Sequence, residues 1–289
     1  MDEELVSLLF STKAFKVADS EHPFWYTSGK LGPYFINVDY LYGSQLESEE
    51  LLSTIDGLLE NSDKETLPGK LFEVLLNHYE NNSTFKTTIN KLVEYTKNNF
   101  DVSSFDYISG GERRDWYFSI LVAYLLNKPH ITIYKDLTTV VSTSNFEETK
   151  KIQELEGASV LHLADILNTG SSFERAWVPA INNLGSKIER ALFVVDRNQS
   201  GSKTMSELGV KSYALLLLND ELLDIAERNS IITKEQKESL VEYMSNPDET
   251  MKKFIKEHPD FIDNTIKFGN EKSAKRAKLC KEKNWYGDI

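Results

Sequence analysis

From residue 105 to 218 the chain repeats one pattern: a short apolar, β-branched run, a loop, then a longer apolar stretch at helical spacing. This alternation constrains the fold more than any other feature, because parallel strands need a crossover and the intervening helix supplies it. The strand runs are 105–109, 130–134, 158–163, 190–195 and 210–218, with helices over 116–126 and 173–184. They predict an α/β fold with a parallel sheet covered by helices on both faces. Gly110-Gly111 is read as breaking the first strand, and Gly185 stands where a helix C-cap glycine belongs. Residues 135–154 have no clear period and read as a long mobile loop.

The flanks have a different texture. Residues 1–20 read as a helix, with Leu5, Leu8, Leu9 and Ala14 on one face. Residues 22–39 are aromatic and glycine-bearing, which suggests two short strands around Ser28-Gly29-Lys30. Three helical stripes follow in 45–100, broken at 61–68 and 81–83. From 219 to the end the chain is helical and polar, with starts at Asn219-Asp220-Glu221 and Ile232-Thr233-Lys234-Glu235. Four segments are expected: an N-terminal helix and hood (1–44), a helical insertion (45–100), the α/β core (101–220) and a helical C-terminal extension (221–289).

Composition excludes several classes. Acidic residues outnumber basic ones 45 to 33, for a net charge of −12, which argues against nonspecific nucleic-acid binding. No run approaches the roughly 18 apolar residues of a membrane helix, and Met1-Asp2-Glu3-Glu4 is acidic where a secretory signal is basic. A cytoplasmic protein with no membrane or nucleic-acid partner is expected. The single Cys280 excludes an internal disulfide and any multi-cysteine metal site, and it is expected to be inert. The tail carries Lys272, Lys275, Arg276, Lys278, Lys281 and Lys283, a local charge reversal that either pairs with acidic surface or folds over the site.

Parallel sheets bind ligands at the carboxyl ends of their strands. The richest such position is Val160-Leu161-His162-Leu163-Ala164-Asp165-Ile166-Leu167-Asn168-Thr169-Gly170-Ser171-Ser172. It is an apolar strand, a carboxylate, then small hydroxyl and glycine residues opening a helix. Such a helix start is a ready phosphate site. An ordinary strand-to-helix turn with Ser/Thr capping uses the same residue types. His162, in mid-strand, reads as a core histidine.

This segment resembles the phosphoribosyl-pyrophosphate (PRPP) motif of type I phosphoribosyltransferases. Three further segments resemble the orotate phosphoribosyltransferase branch: Tyr26-Thr27-Ser28-Gly29-Lys30-Leu31-Gly32-Pro33-Tyr34-Phe35-Ile36-Asn37, Asp106-Tyr107-Ile108-Ser109-Gly110-Gly111, and Val194-Val195-Asp196-Arg197-Asn198-Gln199-Ser200-Gly201. The resemblance covers about 1–45 and 100–220. It implies a type I phosphoribosyltransferase-like α/β fold and transfer of ribose 5-phosphate from PRPP to orotate or a related pyrimidine-like base, with Mg²⁺ and release of pyrophosphate. By the same resemblance Lys135 and Asp165 are catalytic, Asp165 holding the ribose hydroxyls. PRPP is bound by Gly110, Gly111, Arg114, Asp165, Asn168, Thr169, Gly170, Ser171 and Ser172. Lys30, Tyr34, Phe35 and Arg197 serve the base, with Tyr34 and Phe35 as a wall over it and Arg197 on its carboxylate. No protein metal ligand is implied, and a homodimer is.

The chain departs from the family pattern. Ala164 replaces one acid of the motif, and only Lys135 remains of the loop cations that neutralise departing pyrophosphate. Asn168 replaces a threonine, and Thr27 a lysine. Weak turnover is expected on charge grounds. A second reading, a non-catalytic or regulatory PRPP- or nucleotide-binding relative, is separated from the first by a pyrophosphate-release assay. A generic α/β nucleotide-binding module would lack the Ser28-Gly29-Lys30 segment.

Overall fold

The computed structural model of the protein describes residues 1–287. Its elements, in chain order, begin with α1 (Glu3–Ser11), β1 (Phe15–Val17), β2 (Phe24–Trp25), β3 (Leu31–Gly32), β4 (Tyr34–Ile36), α2 (Gln45–Asn61), α3 (Leu67–Asn81) and α4 (Ser83–Asn99). The middle holds β5 (Tyr107–Gly111), α5 (Trp116–Leu125), β6 (His130–Ile133), β7 (Thr139–Ser142), β8 (Thr149–Lys151), β9 (Ser159–Leu167), α6 (Val178–Asn182), β10 (Lys187–Asp196), α7 (Gly201–Glu207) and β11 (Lys211–Leu217). The end is helical: α8 (Asp220–Arg228), α9 (Lys234–Ser245), α10 (Pro247–Glu257), α11 (Phe261–Phe268) and α12 (Glu271–Lys283).

The chain divides into two compact units, Met1–Ala14 with Val38–Leu222, and Phe15–Asn37 with the chain from Leu223 onward. The expected four consecutive segments are thereby regrouped. The helical insertion belongs to the sheet unit, and the hood segment shares a unit with the C-terminal helices. The N-terminal helix is also shorter than expected: α1 stops at Ser11, and Phe15–Val17 is already strand.

In the first unit, seven strands lie in the order β11-β10-β9-β5-β6-β7-β8. The five from β11 to β6 are parallel, as the alternation predicts, and β7 and β8 add two antiparallel strands at one side. Helices cover both faces. On one, α6 packs Ala180 and Ile181 against Val160, Ile188 and Ala191. Across the other, α5 buries Trp116–Ala123 entirely, which its all-round apolar sequence requires. The parallel register pairs Asp196 with Leu167, so β9 and β10 end side by side with β5 next to them.

Three local expectations are corrected here. The long mobile loop at 135–154 is instead the β7–β8 hairpin. Val140 and Val141 are buried, and Phe146 stacks on Phe72 with ring centroids 4.7 Å apart. Strands of four and three residues are too short to announce a period. Gly110 and Gly111 are the last two residues of β5, so they extend the strand before it ends. Strand β9 runs on to Leu167, so Asp165 is a strand residue and not part of a loop.

The second unit is held by tertiary contacts between remote segments. β1 pairs with β4, and β2 with β3. The turn at Gly29 (φ +83°) lies against α12, where an added Cβ would sit 3.0 Å from the Cys280 nitrogen. Arg276 donates to the Trp25 carbonyl at 2.6 Å, and Tyr286 accepts from the Leu31 N–H at 2.7 Å. In the basic tail, Lys281 bonds Asp263 at 2.5 Å. Within this unit the tail therefore clamps the hood hairpin.

Candidate active site

The PRPP-like segment forms strand, loop and helix in that order. β9 ends at Leu167, Asn168 and Thr169 turn, Gly170 adopts φ +76°, and the helix starts at Ser171. It opens with a π-helical turn, Phe173–Trp177, before α6. The first N–H to reach back into the helix is that of Glu174, donating to the Gly170 carbonyl at 3.2 Å. The N–H groups of Ser171, Ser172 and Phe173 precede any intrahelical acceptor, which is how a helix start presents donors to an anion. Gly170 is required twice over: by its positive φ, and because a Cβ there would meet Thr204 at 3.0 Å.

These residues line a crevice of about 240 Å³ together with Glu112, Arg113, Arg114, Asp115, Asp165 and Trp177. Asp115, at the start of α5, ties two walls together. Its Oδ2 accepts the Gly111 N–H at 3.0 Å and its Oδ1 the Asp165 N–H at 3.2 Å. Behind it, Ser109 Oγ and His162 Nδ1 are 2.8 Å apart, and His162 Nε2 lies 3.5 Å from Asp115. Burial lowers the His162 pKa to about 3, so the ring is neutral. It is a core histidine, as expected. Burial also pushes Asp115 up to about 7 despite its two N–H donors. Asp165 is raised as well, by desolvation and then by the Asp115 carboxylate, against the pull of Arg114.

The loop after β5 is anchored by ion pairs. Arg114 Nε meets Asp39 at 2.7 Å, and Arg113 pairs with Asp56 of α2. The two glycines carry a packing burden. A Cβ on Gly110 would fall 2.1 Å from Ser119 Oγ, and one on Gly111 2.2 Å from the Trp177 ring. Their lack of a side chain is therefore demanded by the core, and the Gly111 N–H is already bound by Asp115.

The comparisons agree with this geometry. No protein-family model matches the chain. It is 28% identical over 172 residues to the orotate phosphoribosyltransferase of Sulfurisphaera tokodaii, covering 59% of this chain and 80% of that one. It is 28% identical over 179 residues to the adenine phosphoribosyltransferase of Aliivibrio fischeri, covering 58% and 96%. Among solved structures, orotate phosphoribosyltransferase from Francisella tularensis superposes with a TM-score of 0.56 at 12% identity, over 84% of this chain and 98% of that one. The UMP synthase of Leishmania donovani gives 0.56 at 15%, over 84% of this chain but only 42% of its own length. The chain has the fold of these phosphoribosyltransferases, and in sequence it is similar to both orotate and adenine phosphoribosyltransferases.

The remaining candidate residues fall into two groups. In the sheet unit, Arg197 follows β10 and donates to Asn168 Oδ1 at 3.2 Å, which joins the ends of β9 and β10. Lys135 lies just past β6, its side chain 66% exposed and its Nζ 3.7 Å from Glu112. In the second unit, Lys30 pairs with Asp248 at 2.7 Å and lies 4.7 Å from the Trp285 ring centroid. Phe35 packs on Phe24 with ring centroids 6.0 Å apart. Tyr34 is 2% exposed, stacked on Phe15 at 5.3 Å and edge-on to Tyr243 at 5.9 Å. Within its own unit Tyr34 is thus a core aromatic packed by two other rings. Cys280 is buried, and burial raises its thiol to about 11.

Sequence reasoning missed Asp39, Asp56, Glu112, Asp115 and Trp177. Asp115 had a usable signal, an acidic residue directly before an apolar helical run. The others had none, because their roles arise from segments that meet only in the fold.

Proposed function

We propose that the chain binds PRPP, with its Mg²⁺, in the crevice at the ends of β5, β9 and β10, and transfers ribose 5-phosphate to orotate or a related pyrimidine-like base with release of pyrophosphate. The observation that carries this reading is the loop after β9, which joins a half-buried carboxylate, Asp165, to a helix start with three N–H groups ahead of the first intrahelical acceptor. In this reading Thr169–Ser172 take the 5′-phosphate, Asp165 accepts from the ribose hydroxyls, Arg114 faces pyrophosphate and Arg197 the base. In this reading Mg²⁺ would enter with PRPP as part of the substrate, supplying charge neutralisation for the departing pyrophosphate. As the bond to pyrophosphate breaks, C1′ gains positive charge, and the protein's task is to position reactants and balance charge.

A second reading, PRPP or nucleotide binding without transfer, is favoured by one observation. Lys135, Arg113 and Arg114 all have carboxylate neighbours of their own, at Glu112, Asp56 and Asp39. Calorimetry with Mg²⁺·PRPP, followed by a pyrophosphate-release assay with orotate and in parallel with adenine, decides between them. Release with orotate supports transfer, binding without release supports the second reading, and release with adenine alone reassigns the base. Failure to bind PRPP ends both.

A further inference from the structure

Asp39 lies in the 3-10 turn Val38–Tyr42 and is only 2% exposed. One of its oxygens holds Arg114 Nε at 2.7 Å, and the other, Oδ1, is buried with no hydrogen-bond partner. The Arg114 side chain is 49% exposed and lines the crevice. The groups facing Asp39 are Arg114 from the loop after β5, Asp115 and Tyr117 from the start of α5, and Asp165 from β9. Beyond them Arg113 is taken by Asp56. A single, solvent-reachable guanidinium thus compensates a sealed carboxylate that has two more carboxylates beside it.

We propose that Asp39 is the proton-coupled partner of the anion site: a diphosphate that engages Arg114 draws that charge away from Asp39, and Asp39 becomes more fully protonated by uptake from solvent. This rests on reading the crevice as a PRPP site. A buried carboxylate deprived of its cation neutralises itself in preference to staying charged. Desolvation, with Asp165 and Asp115 adding to it, already holds Asp39 far above the ordinary carboxylate range, so the proton is within reach near neutral pH. Because binding is accompanied by proton uptake, diphosphate affinity falls as pH rises. In the free protein the same pair keeps Arg114 occupied, so anions too weak to displace a carboxylate are turned away.

The test is calorimetry of Mg²⁺·PRPP and Mg²⁺·pyrophosphate in buffers of different ionisation enthalpy, which counts protons taken up. The wild-type protein is expected to take up a measurable fraction of a proton beyond that of Asp39→Asn. Its affinity should fall about fivefold from about pH 6 to about pH 8 if the anion raises Asp39 by one pKa unit, and at most about tenfold for a larger shift. Asp39→Asn should bind more tightly than wild type at the upper pH, with a flatter profile. The ligand's own titration is common to both proteins. Asp39→Ser repeats the comparison with a smaller side chain should the first variant not fold. Equal proton numbers and parallel pH profiles overturn the coupling and leave the PRPP reading standing. No binding by either protein at any pH overturns both.

Discussion

The loop after β9 and the turn after β6 occupy equivalent places, each following a buried parallel strand at its carboxyl end, yet they are built in opposite ways. The first is opened by Gly170 and leads into a helix whose first N–H groups have no helical acceptor. The second is sewn down. Lys64, from the connection between α2 and α3, bonds Asp136 and Thr138 Oγ1, and its carbonyl accepts the Tyr134 hydroxyl at 2.7 Å. The Thr138 N–H is bound by Asp136 at 3.1 Å. Topology makes both positions eligible for ligand binding. Which polar groups the fold has already used decides which of them can act.

That contrast is open to attack. The largest effect is expected for Gly170→Val, which forces a β-branched residue into positive φ against Thr204. Strain of about 1–3 kcal/mol at the helix start should lower Mg²⁺·PRPP affinity by roughly tenfold to a hundredfold, read by calorimetry. Unchanged affinity would move the phosphate site elsewhere.

Asp115 beneath that loop gives a pH signature. Its folded pKa, raised to about 7 from an ordinary 3.8, means the folded protein binds its proton more tightly than the unfolded chain does. The stability this contributes is present below about pH 4 and lost as pH rises through about 7. Urea denaturation should show a slope of up to about 1.4 kcal/mol per pH unit in that window. Asp115→Asn should reduce the slope, and an identical slope in the variant would assign the titration to other groups.

On the turn side, Lys64→Ala should cost only about 0–1 kcal/mol, because the ion pair is surface-exposed. It should nonetheless speed amide exchange at 134–138 while leaving PRPP affinity alone. A large loss of affinity would show that the sewn turn serves the site. The smallest effect is expected for Lys135→Ala. With the side chain 66% exposed and Glu112 beside it, PRPP affinity should change by less than about threefold, and a larger loss would restore this lysine to a central role.

Much of the fold was legible because its signals are local. The strand–helix alternation, the apolar runs of β9 and β10, the glycine turn at Ser28-Gly29-Lys30, and the acid, hydroxyl and glycine sequence from Asp165 to Ser172 depend on residues a few positions apart, where the periods of strand and helix are set. The helix start at Thr233, whose side chain caps α9, is of the same kind. Illegible was the β7–β8 hairpin, too short for a period and held by Phe146 on Phe72.

The sequence by itself therefore determined the order of elements and the strand ends at which chemistry could occur. Only the tertiary structure decided the charge state of the crevice. Asp39 and Asp165 come from segments remote from Arg114-Asp115 in the sequence, and nothing local brings them to that pair. Their pKa values depend on desolvation and on one another's charge, and both exist only once the chain has packed.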